Sequence, residues 1–140
     1  MKNLRIYSKK FKVDKKEIHH LVAFLIEELE LDFQCLEVNF VSVDQIVKVN
    51  SQFLSHNYPT DIITFGYTES GNTIDAEIFI CYDIAVENSK RFRDKPEAEI
   101  LRLIIHGILH LSGFDDKNIS KKKKMKSKET YFLKKFLKNK

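Results

Sequence analysis

Between Glu97 and Ser112 the chain spells a helix that is apolar on nearly every side, with Ile104, Ile105, Ile108, Leu109 and Leu111 distributed all round it. A helix without a polar face must be buried, so the rest of the chain has to supply enough structure to surround it. Pro96 suits the first turn of this helix, where a missing N–H costs nothing. Gly113 suits its end, where the backbone needs a left-handed residue.

The remaining elements follow from periodicity. Leu4-Arg5-Ile6-Tyr7 reads as a short strand. Asp14 and Glu17 form a capping-box-like start to a helix whose stripe is Ile18, Leu21, Val22, Leu25, Ile26 and Leu29. Leu36, Val38 and Phe40 alternate as in a half-buried strand, and a second helix from Asp44 turns Ile46, Val49 and Phe53 inward. His56-Asn57-Tyr58-Pro59 makes a turn. Ile62 to Tyr67 and Ile74 to Cys81 then form a hairpin around Ser70-Gly71-Asn72. Asp83 caps a helix through Phe92, and a last helix over Ser120 to Leu137 buries Met125, Phe132, Phe136 and Leu137. The order β-α-β-α-β-β-α-α-α predicts a single α+β domain over residues 1–140. A small mixed sheet packs against helices, and a lysine-rich C-terminal helix begins near residue 118.

Several classes are excluded. At 140 residues and 43% apolar composition the chain suits one core, not two, and is not disordered over most of its length. MKNLRIYSKKFKV lacks the apolar run of a signal peptide, and Ile100 to Leu111 is too short and too interrupted to span a bilayer. A cytoplasmic protein with no membrane partner is the expectation. Cys35 and Cys81 are too few for a disulfide scaffold or a Cys-rich zinc site, and read as buried reduced thiols. Residues 1–115 carry 13 Lys and Arg against 18 Asp and Glu, whereas residues 116–140 carry 11 lysines against Asp116 and Glu129. A basic end on an acidic body suits a polyanion partner, and equally a solvated helix face.

The chemistry concentrates at Leu101 to Asp116. His106 and His110 stand four apart and share a helical face, from which two imidazoles can reach one metal ion at about 2.0–2.1 Å. The turn at Gly113 brings either Asp115 or Asp116 back as a third ligand, leaving a fourth position open as in catalytic zinc sites. Burial supports the same reading, because a buried imidazole needs a partner for each nitrogen and a shared metal supplies one to both rings. Zinc peptidases of the HExxH class carry their general base directly after the first histidine. Gly107 occupies that position, which disfavours proteolysis by that route.

The string His106-Gly107-Ile108-Leu109-His110-Leu111-Ser112-Gly113-Phe114-Asp115-Asp116 resembles the H-G-x-L-H-L-x-G-Y/F-D-H hallmark of the YbeY family of metal-dependent endoribonucleases, at ten of eleven positions. Pro59-Thr60-Asp61-Ile62-Ile63-Thr64-Phe65, Val49-Asn50, Glu77-Ile78, and Met125 with Glu129 resemble further motifs of that family. The resemblance implies one Zn²⁺ per chain held by His106, His110 and Asp116, where the family has a third histidine. It also implies single-strand-type cleavage of ribosomal RNA precursors, maturation of the 16S RNA 3′ end, and partners on the small ribosomal subunit; no DNA partner is expected. Asp116 is a competent zinc ligand, but its charge lowers the Lewis acidity of the ion. Asp115 is the rival third ligand and the nearest candidate base. Leu54 falls where many members carry an arginine suited to phosphate.

Lys121-Lys122-Lys123-Lys124 with Lys126 and Lys128 can track RNA phosphates, with Lys121, Lys122 and Lys124 as the named candidate contacts, and the run equally suits a solubilising face. Tyr58, Tyr67 and Phe114 can stack on bases, although Phe114 reads better as core. His19, His20 and His56 lack ligand spacing and read as surface. Two rivals remain at the level of sequence: a zinc hydrolase of another substrate, and a ribosome-assembly factor that binds RNA without cutting it.

Overall fold

Alternation of apolar residues builds the centre of the molecule, which the computed structural model describes for residues 2–69 and 71–139. Strand β1 (Leu4–Tyr7) buries Leu4 and Ile6, β2 (Asp32–Val41) buries Leu36, Val38 and Phe40, and β4 (Thr73–Cys81) buries Ile74, Ala76, Ile78 and Ile80. With β3 (Ile62–Gly66) they form one four-stranded sheet in the order β1-β2-β4-β3. Both β1 and β4 pair parallel to β2. The predicted hairpin is present, with β3 antiparallel to β4 from Ile62 opposite Ile80 to Gly66 opposite Ala76. Ser70 of the expected turn lies outside the described residues.

Helices α1 (Lys15–Glu28), α2 (Val43–Leu54), α3 (Tyr82–Arg91), α4 (Pro96–Leu111) and α5 (Ile119–Lys138) complete the expected order. Ile74, Ala76, Ile78 and Ile80 belong to the larger core, which includes the apolar sides of α1, α4 and α5. Ile63 and Cys81 belong to a smaller cluster with Ile46 of α2, flanked by Phe65 and Phe79. Helix α4 is the buried centre. A β-carbon on Gly107 would stand 3.1–3.2 Å from the methyl tips of Ile78, Ile62 and Thr64, so glycine is what lets α4 lie this close to β3 and β4. At its other end Gly113 adopts φ +102°, and the N–H groups of Gly113 and Phe114 donate to His110 O and Leu109 O. Those two bonds complete a Schellman stop.

Details at the element ends depart from the sequence expectation. Helix α2 is capped by Ser42, not begun at Asp44, because Ser42 and Gln45 satisfy each other's backbone N–H in a full capping box. Its Phe53 is 61% exposed, lying edge-on to Phe65 at the rim of the smaller cluster. Asp83 is not the cap of α3. It lies in the first turn, where it still complements the helix dipole. On α5 the buried positions are Met125, Glu129, Phe132, Leu133 and Phe136, while Leu137 is 42% exposed. Cys81 is buried as expected, but Cys35 is only half-buried. No helix among the described residues is long and apolar enough to cross a membrane.

Candidate functional site

Beyond its first turn helix α4 buries nearly all of its surface, and its polar remainder is a single stripe: Arg102, His106 and His110, one every fourth residue. The two histidines do share a face, as their spacing required. They are not sealed in apolar surroundings, however. His106 is half-buried and His110 exposed, because this stripe lies along the uncovered edge of an otherwise buried helix.

Helix α5 is laid over α4 so that Glu129, only 6% exposed, arrives at the stripe. Its Oε2 stands 2.7 Å from His106 Nδ1, and its Oε1 is 3.6 Å from Arg102 Nη1. Arg102 Nη2 also reaches Thr130 Oγ1 at 3.5 Å. The bond to Glu129 holds the His106 pKa above the ordinary histidine value, against the burial that opposes it, with Asp116 and Asp61 adding to the rise.

His106 opens into a groove of about 610 Å³ between α3, α4 and α5, closed at one side by Asp61 and Ile62 at the start of β3. Asn88 of α3 donates through Nδ2 to Asp61 Oδ2 at 3.1 Å and reaches Glu99 Oε2 at 3.5 Å. Glu99 is buried beneath this contact, and burial pushes its carboxyl pKa up. The loop carrying Asp61 is tied down from behind: Asn50, buried in α2, donates to Tyr58 O at 2.9 Å and Thr60 Oγ1 at 3.1 Å. Asp61 O accepts from Cys81 N–H at 2.9 Å.

Asp116 lines the groove with His106, whereas His110 does not. Among the described residues no three His, Cys, Asp or Glu side chains stand together in ligating arrangement. The residues nonetheless fit a zinc-class ion in kind: two imidazoles and a carboxylate are its ordinary donors. A carboxylate on Nδ1 is also how ligating imidazoles are commonly held, and it leaves Nε2 as the ring atom not engaged by Glu129.

Asp115 takes a different part. Its carboxylate accepts from Lys117 N–H at 3.1 Å and meets Lys121 Nζ at 3.4 Å, and these contacts hold its pKa below the usual carboxylate range. A lowered pKa makes a weaker base. Lys121 is thereby engaged at the start of α5. Lys122 lines the groove, joined by Lys126 one turn on and faced by Arg91 of α3; Lys124 is not part of the lining. None of Arg91, Lys122 and Lys126 forms an ion pair among the described residues.

Leu54 is exposed, and Tyr58 stacks on His56 with ring centroids 5.0 Å apart at the surface. The Tyr67 hydroxyl donates to Glu77 at 2.5 Å, which raises its pKa to about 12. Phe114 is half-buried against the main core, under Lys128. Sequence reasoning assigned no role to Arg102, Asn88 or Glu99, took Lys126 only as one lysine of the basic run, and registered Asp61 and Glu129 only as parts of motifs. Glu129 carried a signal of its own, since it is an acid set among the apolar positions of the last helix.

The chain matches the sequence model of a family described as Endoribonuclease YbeY over residues 3–137. A Chlorobium limicola protein named Endoribonuclease YbeY is 34% identical over 131 residues, 90% of this chain and 90% of that protein. One of the same name from Parabacteroides distasonis is 46% identical over 94 residues, 67% of this chain and 66% of its own. The solution structure of TM1509 from Thermotoga maritima matches with a TM-score of 0.69 at 29% identity, covering 97% of this chain and 90% of that one.

Proposed function

This chain belongs to the YbeY endoribonuclease family, and from that premise we propose that it cuts ribosomal RNA precursors in a zinc-dependent reaction in the groove between α3, α4 and α5. The observation that carries this reading is the placement of His106, braced by Glu129, in one groove with Asp116 and the cations Lys122, Lys126 and Arg91.

His106 through Nε2, Asp116 from the wall of the groove and His110 from the next turn of α4 would hold one Zn²⁺ per chain. When bound, such an ion supplies Lewis acidity toward a phosphate oxygen or an attacking hydroxyl. The chain's own residues do the rest. Lys122 and Lys126, one helical turn apart, bind successive phosphates of a single strand, and Arg91 faces them across the groove. They take the part that Leu54 leaves vacant. Asp61, oriented by Asn88 and by the tether from Asn50, presents a carboxylate to the reacting strand and replaces Asp115 as the nearest candidate base. Family membership supports ribosomal RNA as the substrate class, with the 3′ end of 16S RNA, the small ribosomal subunit and the cytoplasm as the setting.

The metal content of the purified chain, measured beside Asp116→Ala and followed by cleavage of a ribosomal RNA precursor, tests the proposal. About one zinc in the parent, largely lost in the variant, is expected, with cleavage abolished by chelator and restored by zinc. Zinc kept in full by Asp116→Ala would move the third ligand to Asp115. A metal-free parent that binds RNA and never cuts it would overturn the catalytic reading in favour of an assembly factor.

A further inference from the structure

We propose that Glu129, clamped by Arg102, is a positioning residue for His106: it selects the tautomer and fixes the aim of the imidazole, and so sets how tightly the groove holds a metal ion. The inference rests on the zinc reading above and names the residue that makes the first ligand competent.

A carboxylate as buried as Glu129 is stable only if its charge is met on the spot. Both its oxygens are engaged by one helix. Oε2 is 2.7 Å from His106 Nδ1 and Oε1 is 3.6 Å from Arg102 Nη1, from residues one turn apart on α4. Arg102 is itself held by Thr130, the neighbour of Glu129 on α5. The carboxylate is therefore hydrogen-bonded at one oxygen and faced by a guanidinium at the other, and both contacts oppose its swinging away from the ring.

The consequence for His106 follows from imidazole chemistry. A neutral ring has one N–H and one lone pair, and the carboxylate at Nδ1 accepts, so the proton must sit on Nδ1 and the lone pair on Nε2. Nε2 is the atom a ligand to the groove must use. Without Glu129 the ring is free to take the other tautomer and to turn about its side-chain bonds, and both must be reversed before an ion binds. His110 is exposed, and its ring has no hydrogen-bond partner among the described residues. Preorganisation at the site thus depends on His106, and through it on Glu129.

The test is zinc titration of the full chain against a chromophoric chelator, with no RNA present, beside the melting temperature of each metal-free variant. Glu129→Ala should weaken zinc binding about 10- to 100-fold. Glu129→Gln keeps an oxygen for the Nδ1 proton and should recover part of that loss. His106→Ala should weaken binding more than either, and adding Glu129→Ala to it should cost nothing further, because a residue that acts through His106 has nothing left to act on. A merely structural carboxylate would shift the melting temperature without this pattern.

Zinc affinity of Glu129→Gln and Glu129→Ala within twofold of the parent, with His106→Ala crippled, overturns the positioning role and leaves the zinc site standing. Full additivity in the double variant also overturns it. Parent-like affinity in His106→Ala overturns the zinc reading itself. Should Glu129→Ala fail to fold, Glu129→Gln alone decides, since loss of the charge must still weaken binding measurably.

Discussion

Single residues carry most of the electrostatic consequence of this groove, and Glu99 shows it in its simplest form. Its carboxyl is buried, and burial raises its pKa above the ordinary value near 4.5, with the Asn88 contact and Arg102 only partly opposing. The folded state therefore holds the proton more tightly than the unfolded chain. Its effect on stability is neutral or favourable below the unfolded pKa and turns unfavourable as pH rises from there through the folded pKa. Glu99→Gln cannot ionise, so at pH 7 it should melt at a higher temperature than the parent, and the difference should vanish toward pH 4. Melting curves at the two pH values check this; a variant less stable than the parent at pH 7 would mean that the ionised form is the one the fold favours.

Helices and strands set where those residues point, and the close approach of α4 to the sheet is the element-scale feature on which the groove depends. In an exposed helix, replacing glycine by alanine gains about 1 kcal/mol. At Gly107 the added carbon would press at once on Ile78, Ile62 and Thr64. Overpacking of that kind costs about 1–3 kcal/mol. Gly107→Ala should therefore lower the melting temperature and push the His106 stripe away from Asp61, reducing RNA cleavage as well. A rise in melting temperature would show slack in this interface that the geometry does not display. The glycine directly after His106 thus has a packing reason, and it also occupies the position where a peptidase of the HExxH class would carry its base.

Charge distribution belongs to the whole molecule. The C-terminal quarter is basic and the body acidic, yet the fold divides the lysines into different tasks. Lys121 is held by Asp115, Lys128 lies over Phe114, and Lys122 with Lys126 line the groove. Each phosphate contact on a single strand contributes about 0.7 to the slope of log affinity against log salt. Lys122→Ala with Lys126→Ala should therefore flatten that slope by about 1.4 for single-stranded RNA. Lys123→Ala with Lys124→Ala should flatten it less. Equal effects from the two pairs would mean that the helix acts as a diffuse basic surface and that the groove selects nothing.

What could be read in advance was whatever acts over a few residues. Apolar periodicity together with turn and cap signals located the nine elements of the described residues, the Asp14 cap and the Gly113 stop were legible as local hydrogen-bonding needs, and a four-residue spacing put His106 and His110 on one face. Burial of those histidines was misjudged, since composition shows that a helix is apolar and not which narrow edge its neighbours leave open. Strand order was not legible either: β4 comes between β2 and β3 through contacts far apart in sequence. The same holds for the contacts that make the site. Glu129 meets His106 across 23 residues, Asn88 meets Asp61 across 27, and the choice of Lys122 and Lys126 over their neighbours follows from the rotation of α5 against α4. Such pairings depend on how helices pack, and packing is settled by the shape of whole faces. The sequence by itself determined which elements form and which chemistry they carry; only the tertiary structure decided which of those groups meet.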